Sequence, residues 1–176
     1  MTSQQLSSRI QWQGDSWRLR VVELSLTNDT ILERGIIDHP GSVVVVPMQG
    51  EEVLILRQYR LSLNETILEL PAGTREPDEE WLACARRELQ EETGHRAENW
   101  IPLGHVWPAP GLTNEEMAIF LASSLSPAPL PADADEEIEV EKMPLRDLAK
   151  MALDGRLMDA KSVVALLRAA AYLDQY

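Results

Sequence analysis

Cysteine is almost absent from this chain of 176 residues, with Cys84 standing alone. No intramolecular disulfide framework can form, so the fold must be held by packing, and a lone thiol is compatible with a reducing compartment. Long apolar runs are missing too. No stretch approaches the roughly 20 residues that a membrane-spanning helix needs. The opening MTSQQLSSRIQW has no apolar stretch of signal-peptide type, and the expectation is a cytoplasmic protein without a membrane partner. Basic residues are the third shortage: 16 Lys and Arg stand against 29 Asp and Glu, a formal net charge of −13. Such a surface repels nucleic-acid phosphates and anionic lipids, so no nucleic-acid partner is expected. An anionic small molecule stays open, because a bound divalent cation and a few arginines reverse the sign of a single cleft.

Hydrophobic residues make up 44% of the sequence. At this length folding buries roughly 70% of the surface that the unfolded chain exposes, enough for one core. Neither an internal repeat nor a second core is visible. Strand pattern occupies Trp17 to Leu26, Gly41 to Met48 and Glu51 to Arg60, separated by Asn28-Asp29, Pro40-Gly41 and Gln49-Gly50. The run Val43 to Val46 does not alternate with polar residues, which predicts a central strand covered on both faces. Leu68 to Leu70 ends at the breaker triplet Pro71-Ala72-Gly73. A helix is predicted from about Asp78 to Glu92, with Asp78 as N-cap, acidic residues in its first turn, Leu82, Ala85 and Leu89 as its apolar stripe and Gly94 as its stop. Strands are expected again at Trp100 to Val106 and Met117 to Ala122. A Pro/Ala/Asp-rich loop covers Ser126 to Asp135, a short strand Ile138 to Lys142, and helices Leu145 to Leu153 and Ala160 to Leu173.

Chemistry is concentrated between Gly73 and His95. Glu88 and Glu92 are four residues apart and Glu91 is three beyond Glu88, so on a helix their carboxylates project from one face. Like charges this close destabilise the fold unless a cation is bound, and an all-oxygen set suits Mg²⁺ or Mn²⁺ better than zinc. A solvated acidic helix face is the alternative reading of such a group. His39, His95 and His105 are too scattered for a zinc site, and Cys84, between two alanines, reads as a small buried hydrophobe.

The spacing selects between the two readings. After Gly73 five residues intervene before Glu79 and seven more before Arg87, and then Arg-Glu-Leu-Gln-Glu-Glu-Thr-Gly follows to Gly94. This resembles the Nudix box of the Nudix hydrolases at every fixed Gly, Glu and Arg position, a highly specific motif. One position departs, His95, where the family has an aliphatic residue that packs against the core. Beyond the box, His39-Pro40-Gly41, Arg57-Gln58-Tyr59-Arg60, Leu68 to Gly73 and Pro108-Ala109-Pro110-Gly111 together resemble the ADP-ribose pyrophosphatase branch from Glu33 to Leu173. GDP-mannose and other nucleotide-sugar hydrolases share much of that framework.

The resemblance implies an α+β Nudix fold, a mixed β-sheet sandwiched between helices, with N-terminal antiparallel strands. Residues 1–40 would form a dimerising, substrate-completing segment and residues 41–176 the hydrolase domain, within a single domain overall. It implies a nucleoside diphosphate sugar as substrate, with ADP-ribose cleaved to AMP and ribose 5-phosphate, and a homodimer. Glu88 and Glu92 match the principal metal ligands, Glu91 a further ligand or base-orienting carboxylate, and the Ala72 carbonyl an additional oxygen ligand. Arg87 matches the arginine that fixes the carboxylates and Glu79 the structural glutamate. Substrate contacts are carried over to Arg34, Arg60 and Glu115. The base is expected from the acidic loop before the last strand, Glu136 first and Glu137 second, with Glu91 behind them. Trp12 and Trp17 are read first as core packing, then as dimer contacts, then as stacking partners for a base, and Trp17 is retained as a candidate substrate contact. A Nudix fold kept to bind a nucleotide sugar without turnover is the competing function class, and the intact carboxylate set favours the enzyme.

Overall fold

The computed structural model describes residues 4–131 and 137–174. Strands β1 (Gln4–Gln13), β2 (Arg18–Ser25) and β3 (Ile31–Asp38) form a three-stranded antiparallel sheet. The larger sheet runs in the order β10 (Ile138–Pro144), β5 (Glu52–Arg60), β4 (Ser42–Gln49), β9 (Met117–Pro127), β8 (His95–Val106), with β6 (Glu65–Glu69) on β5 and β7 (Ala72–Thr74) on β4. It is mixed: β4 and β9 run parallel and the remaining pairs antiparallel. Helix α1 (Trp81–Thr93) covers one face, and α2 (Leu145–Asp154) and α3 (Ala160–Tyr172) cover the other.

The double coverage explains the unalternating run in β4. Val43 and Val45 pack under α1 with Cys84, Ala85 and Leu89, whereas Val44 and Val46 pack with Leu145, Leu148, Leu166 and Ala169 of α2 and α3. Successive side chains of a strand point to opposite faces, so a strand between two helical layers must be apolar throughout. Burying a leucine such as Leu89 contributes roughly 2 kcal/mol against leaving it in water. No helix among the described residues is long and apolar enough to cross a membrane.

Several boundaries differ from the sequence expectation. Asp78 is not the N-cap: α1 begins at Trp81 after Glu80, its first turn holds no acidic residue, and Asp78 has a left-handed backbone with φ +61°. Glu79 is drawn off the helix because its carboxylate accepts from the Glu76 amide at 3.0 Å and pairs with Arg87. At the other end Gly94 has φ +69° and its amide donates to the Gln90 carbonyl at 3.0 Å, a reversal that glycine makes at no steric cost. The chain turns straight into β8, which starts at His95 rather than Trp100 because His95 already pairs with Pro127. Strand β1 begins ahead of the strand pattern of Trp17 to Leu26, and its ten residues are all exposed, so no buried face imposes a strong alternation. Trp12 and Trp17 do not pack in the core. They are 48% and 40% exposed and tilt against each other with ring centroids 4.5 Å apart at the end of the β1–β2 hairpin.

Candidate active site

The segment 71–74, where the chain turns from β6 into β7, and the middle of α1 form the site between them. Gly73 lies against Glu88 so closely that a Cβ there would come within 2.0 Å of the Glu88 carboxylate, and only glycine leaves that carboxylate in place. The Ala72 amide donates to Glu92 Oε2 at 2.8 Å, which ties the turn to the next helical turn. Glu88 and Glu92 are both nearly buried, at 8% and 7% exposure.

Arg87 organises the carboxylates. Its Nη1 donates to Glu88 at 2.7 Å and to Glu91 at 2.9 Å, its Nε and Nη2 donate to Glu79 at 3.0 Å, and Nη2 also reaches the Thr74 carbonyl at 3.2 Å. This fork of charge-assisted bonds holds the Glu79 carboxyl below its usual pKa, against a smaller opposing effect of burial. The same partners push the Arg87 guanidinium pKa up. The Cys84 thiol is pushed up, chiefly by burial, and stays a packing residue.

Three carboxylates, those of Glu79, Glu88 and Glu91, therefore face one guanidinium. Among the described residues no three carboxylate, imidazole or thiol side chains are closed into a metal cage, since Arg87 holds Glu88 and Glu91 while Glu92 is turned to the Ala72 amide. The donor set is all oxygen and carries excess negative charge, which fits a hard divalent cation.

Glu88, Glu91, Arg87, Ala72, Arg60 and Glu115 line one cleft of about 620 Å³. Arg60 binds the fully buried Glu69 through two bonds, Nε to Oε1 at 2.7 Å and Nη2 to Oε2 at 2.8 Å. Glu115 accepts from Ser42 Oγ at 2.5 Å and lies 4.0 Å from His39 Nδ1. His39 is held below its ordinary pKa by burial, with Glu115 pulling the other way. Its Nδ1 accepts from the Gly41 amide at 3.1 Å, which leaves the neutral ring's proton on Nε2.

Residues 38–166, most of the chain, match the family model described as NUDIX domain. The chain belongs to the Nudix family. It is 35% identical over 84% of its length to an ADP-ribose pyrophosphatase of Bacillus subtilis, covering 82% of that protein. Identity to a methanol dehydrogenase activator of Bacillus methanolicus is 32%, over 85% of this chain and 82% of the relative. The crystal structure of an ADP compounds hydrolase superposes with a TM-score of 0.86 over 99% of this chain and 95% of its own, at 22% identity, a likeness of fold. Nudix hydrolases generally need a divalent metal.

The Nudix box is thus the wall of the cleft that carries Arg87, Glu88 and Glu91, with Glu92 behind it. Three sequence candidates lie elsewhere. Arg34, on β3, opens on a hollow of about 710 Å³ beside Trp107. Trp17 lines one of about 600 Å³ with Arg18, Arg20 and Asp38. Glu137 lines a third, of about 500 Å³, with Arg57 and Tyr59. Ser16 borders both the Trp17 hollow and the box cleft. Glu136 lies outside the described residues. Where the family has an aliphatic side chain, His95 is half-buried and its Nδ1 lies 2.7 Å from the Thr93 carbonyl, a polar closure of the helix end.

Sequence reasoning missed Glu69, Asp159 and Lys161. Lys161 lines the cleft, pairs with Glu69, and has Asp159 at 3.0 Å. Glu69 lies within the Leu68 to Gly73 motif, but its neighbours are apolar and its partners lie in other elements, so no local pattern marks it.

Proposed function

We propose that this protein hydrolyses the diphosphate linkage of a nucleoside diphosphate sugar, with ADP-ribose cleaved to AMP and ribose 5-phosphate. The observation that carries the reading is the cleft in which Glu88 and Glu91 are held by Arg87 while Glu92 backs the Ala72 turn. Glu88, Glu91, Glu92 and the Ala72 carbonyl would hold Mg²⁺, or Mn²⁺ in its place. When bound, the divalent cation neutralises phosphate charge and lowers the pKa of water. Arg87 bridges Glu88 and Glu91 in the free protein.

Arg60 offers its exposed edge to substrate phosphate while Glu69 fixes its plane, and Glu115, which lines the same cleft, is a polar contact. The general base is assigned to the acidic segment before β10, Glu136 first and Glu137 second, with Glu91 the candidate already in the cleft. Arg34 and Trp17 contribute to substrate through a homodimer built on residues 1–40. The exposed Leu6, Ile10, Trp12 and Ile31 of the small sheet support that assembly, since a patch of this kind is stabilised by a second apolar surface. We place the enzyme in the cytoplasm.

The deciding experiment is a product assay across ADP-ribose, GDP-mannose, diadenosine polyphosphates and NADH, with and without Mg²⁺, alongside light scattering. AMP and ribose 5-phosphate formed only with metal, by a dimer, are the expected result. Binding of ADP-ribose without turnover at saturating Mg²⁺ refutes the enzyme in favour of a binding module, and a fully active monomer refutes the placing of Arg34 and Trp17.

A further inference from the structure

The turn that carries Ala72 is held from two sides. On one side it pairs with β4: Ser42, Val43 and Val44 stand opposite Thr74, Gly73 and Ala72, and the Val45 amide donates to the Pro71 carbonyl at 2.8 Å. On the other side stands the first turn of α3, 92 residues further along the chain, where two consecutive residues grip two consecutive partners. Lys161 Nζ pairs with the carboxylate of Glu69, and Ser162 Oγ accepts from the Leu70 amide at 2.7 Å.

The chemistry of this contact is one-directional. The Ser162 hydroxyl donates its only proton to Asp159 Oδ2, whose carboxylate also caps the helix by accepting from the Ser162 amide at 3.1 Å. With that proton committed, the lone pairs of the oxygen face the Leu70 N–H. Glu69 has no exposure to water and shares its carboxylate between Arg60 of β5 and Lys161 of α3. A shift of α3 therefore moves Glu69, Arg60 and Leu70 together. The turn tolerates little movement: Ala72 lies at hydrogen-bond distance from Glu92, and Gly73 leaves no room for even a methyl group beside Glu88.

We infer that Lys161 and Ser162 are positioning residues that hold the 70–73 turn in register with Glu88 and Glu92, so that the last helix sets the affinity of the box for its cation. The inference rests on the assignment of Ala72, Glu88 and Glu92 to the metal. Residues that orient ligands are commonly worth 10- to 100-fold in metal affinity or activity.

The test is Mn²⁺ binding to the full chain without substrate, followed by the loss of the free-ion electron paramagnetic resonance signal, with kcat and KM measured separately. Ser162→Ala and Lys161→Met are expected to weaken Mn²⁺ binding about tenfold and lower kcat by a similar factor, with KM within about threefold of wild type. Lys161→Arg is expected to recover most of the affinity, because it restores the cation. If Ser162→Ala does not fold, Lys161→Met decides alone, since it keeps the hydrocarbon stem. Wild-type Mn²⁺ affinity and kcat in folded Lys161→Met overturn the inference. So does a change confined to KM, which would make Lys161 a substrate contact. Glu92→Gln separates the two levels. If it binds Mn²⁺ as wild type does, the metal assignment fails and the inference with it; if it alone loses the ion, only the positioning role fails.

Discussion

Replacing Gly73 by alanine probes the site with a single methyl group. Gly73, in β7, pairs with Val43 of β4 and its φ lies outside the left-handed region, so alanine suits the backbone there and the obstacle is the Glu88 carboxylate. A Cβ would stand 2.0 Å from that carboxylate, where ordinary contact begins at 3.4 Å, so the carboxylate must move by about 1.4 Å. It is the far end of a flexible side chain, and the fold survives. The 2.7 Å bond from Arg87 to Glu88 is lost or bent, which costs about 1.5 kcal/mol for a charged partner. That is a lower-end figure, because Arg87 keeps Glu79 and Glu91. Misplacing a metal-binding or reacting group by about 1 Å costs on the order of 100-fold in rate, or about 2.7 kcal/mol in the barrier. The expected result is a drop in kcat/KM for ADP-ribose of about 100-fold, with a fall in Tm of only a few degrees. Gly50→Ala is the control. Gly50 has open space around it but φ +68°, so alanine there costs roughly 1 kcal/mol of stability and leaves kcat/KM per folded molecule unchanged. If Gly73→Ala keeps wild-type kcat/KM, the close approach of the turn to Glu88 does not govern catalysis and the reasoning fails.

Three further outcomes are expected. Glu92→Gln keeps the volume and the acceptor for the Ala72 amide, so the fold persists while turnover at saturating Mg²⁺ falls at least about 100-fold; an unimpaired rate removes α1 as the metal site. Glu136→Gln lowers kcat by about 100-fold or more with KM little changed, Glu137→Gln does much less, and Arg60→Ala chiefly raises KM; a crippled Glu137→Gln moves the base by one residue. The Asp38 carboxyl is held below its usual pKa mainly by the Arg20 guanidinium, with burial opposing and Arg18 assisting. A depressed folded pKa gives stability that is present above the unfolded value and lost as pH falls through the folded one. Urea midpoints between pH 7 and pH 3 should therefore fall less steeply for Asp38→Asn than for wild type; parallel curves refute the contribution.

Local patterns carried much of the architecture. The apolar stripe of α1, the glycine that ends it and the unalternating valines of β4 are each properties of neighbouring residues, and each corresponds to an element of the fold. The box was legible for the same reason, because Glu88, Glu91 and Glu92 are neighbours on one helix and their convergence follows from 3.6 residues per turn. Asp78 misled because the helix-start rule counts only local capping, whereas the ion pair between Glu79 and Arg87 across the loop decided where the helix begins. The tryptophans misled because burial depends on what packs over a hairpin, and the β1 face has nothing over it among the described residues.

Neighbouring residues alone specify the chemistry of the box: which carboxylates share a helix face, which arginine stands among them, and that oxygen donors with excess negative charge suit a hard cation. Which distant residues complete the wall depends on how the layers pack. Arg60, Glu69 and Lys161 come from β5, β6 and α3 and meet around one buried carboxylate, and Arg34 and Trp17 open onto hollows of their own. Spacing along a helix fixes angles between near neighbours, but contacts over 92 residues are fixed by how layers pack, and no local rule encodes that packing.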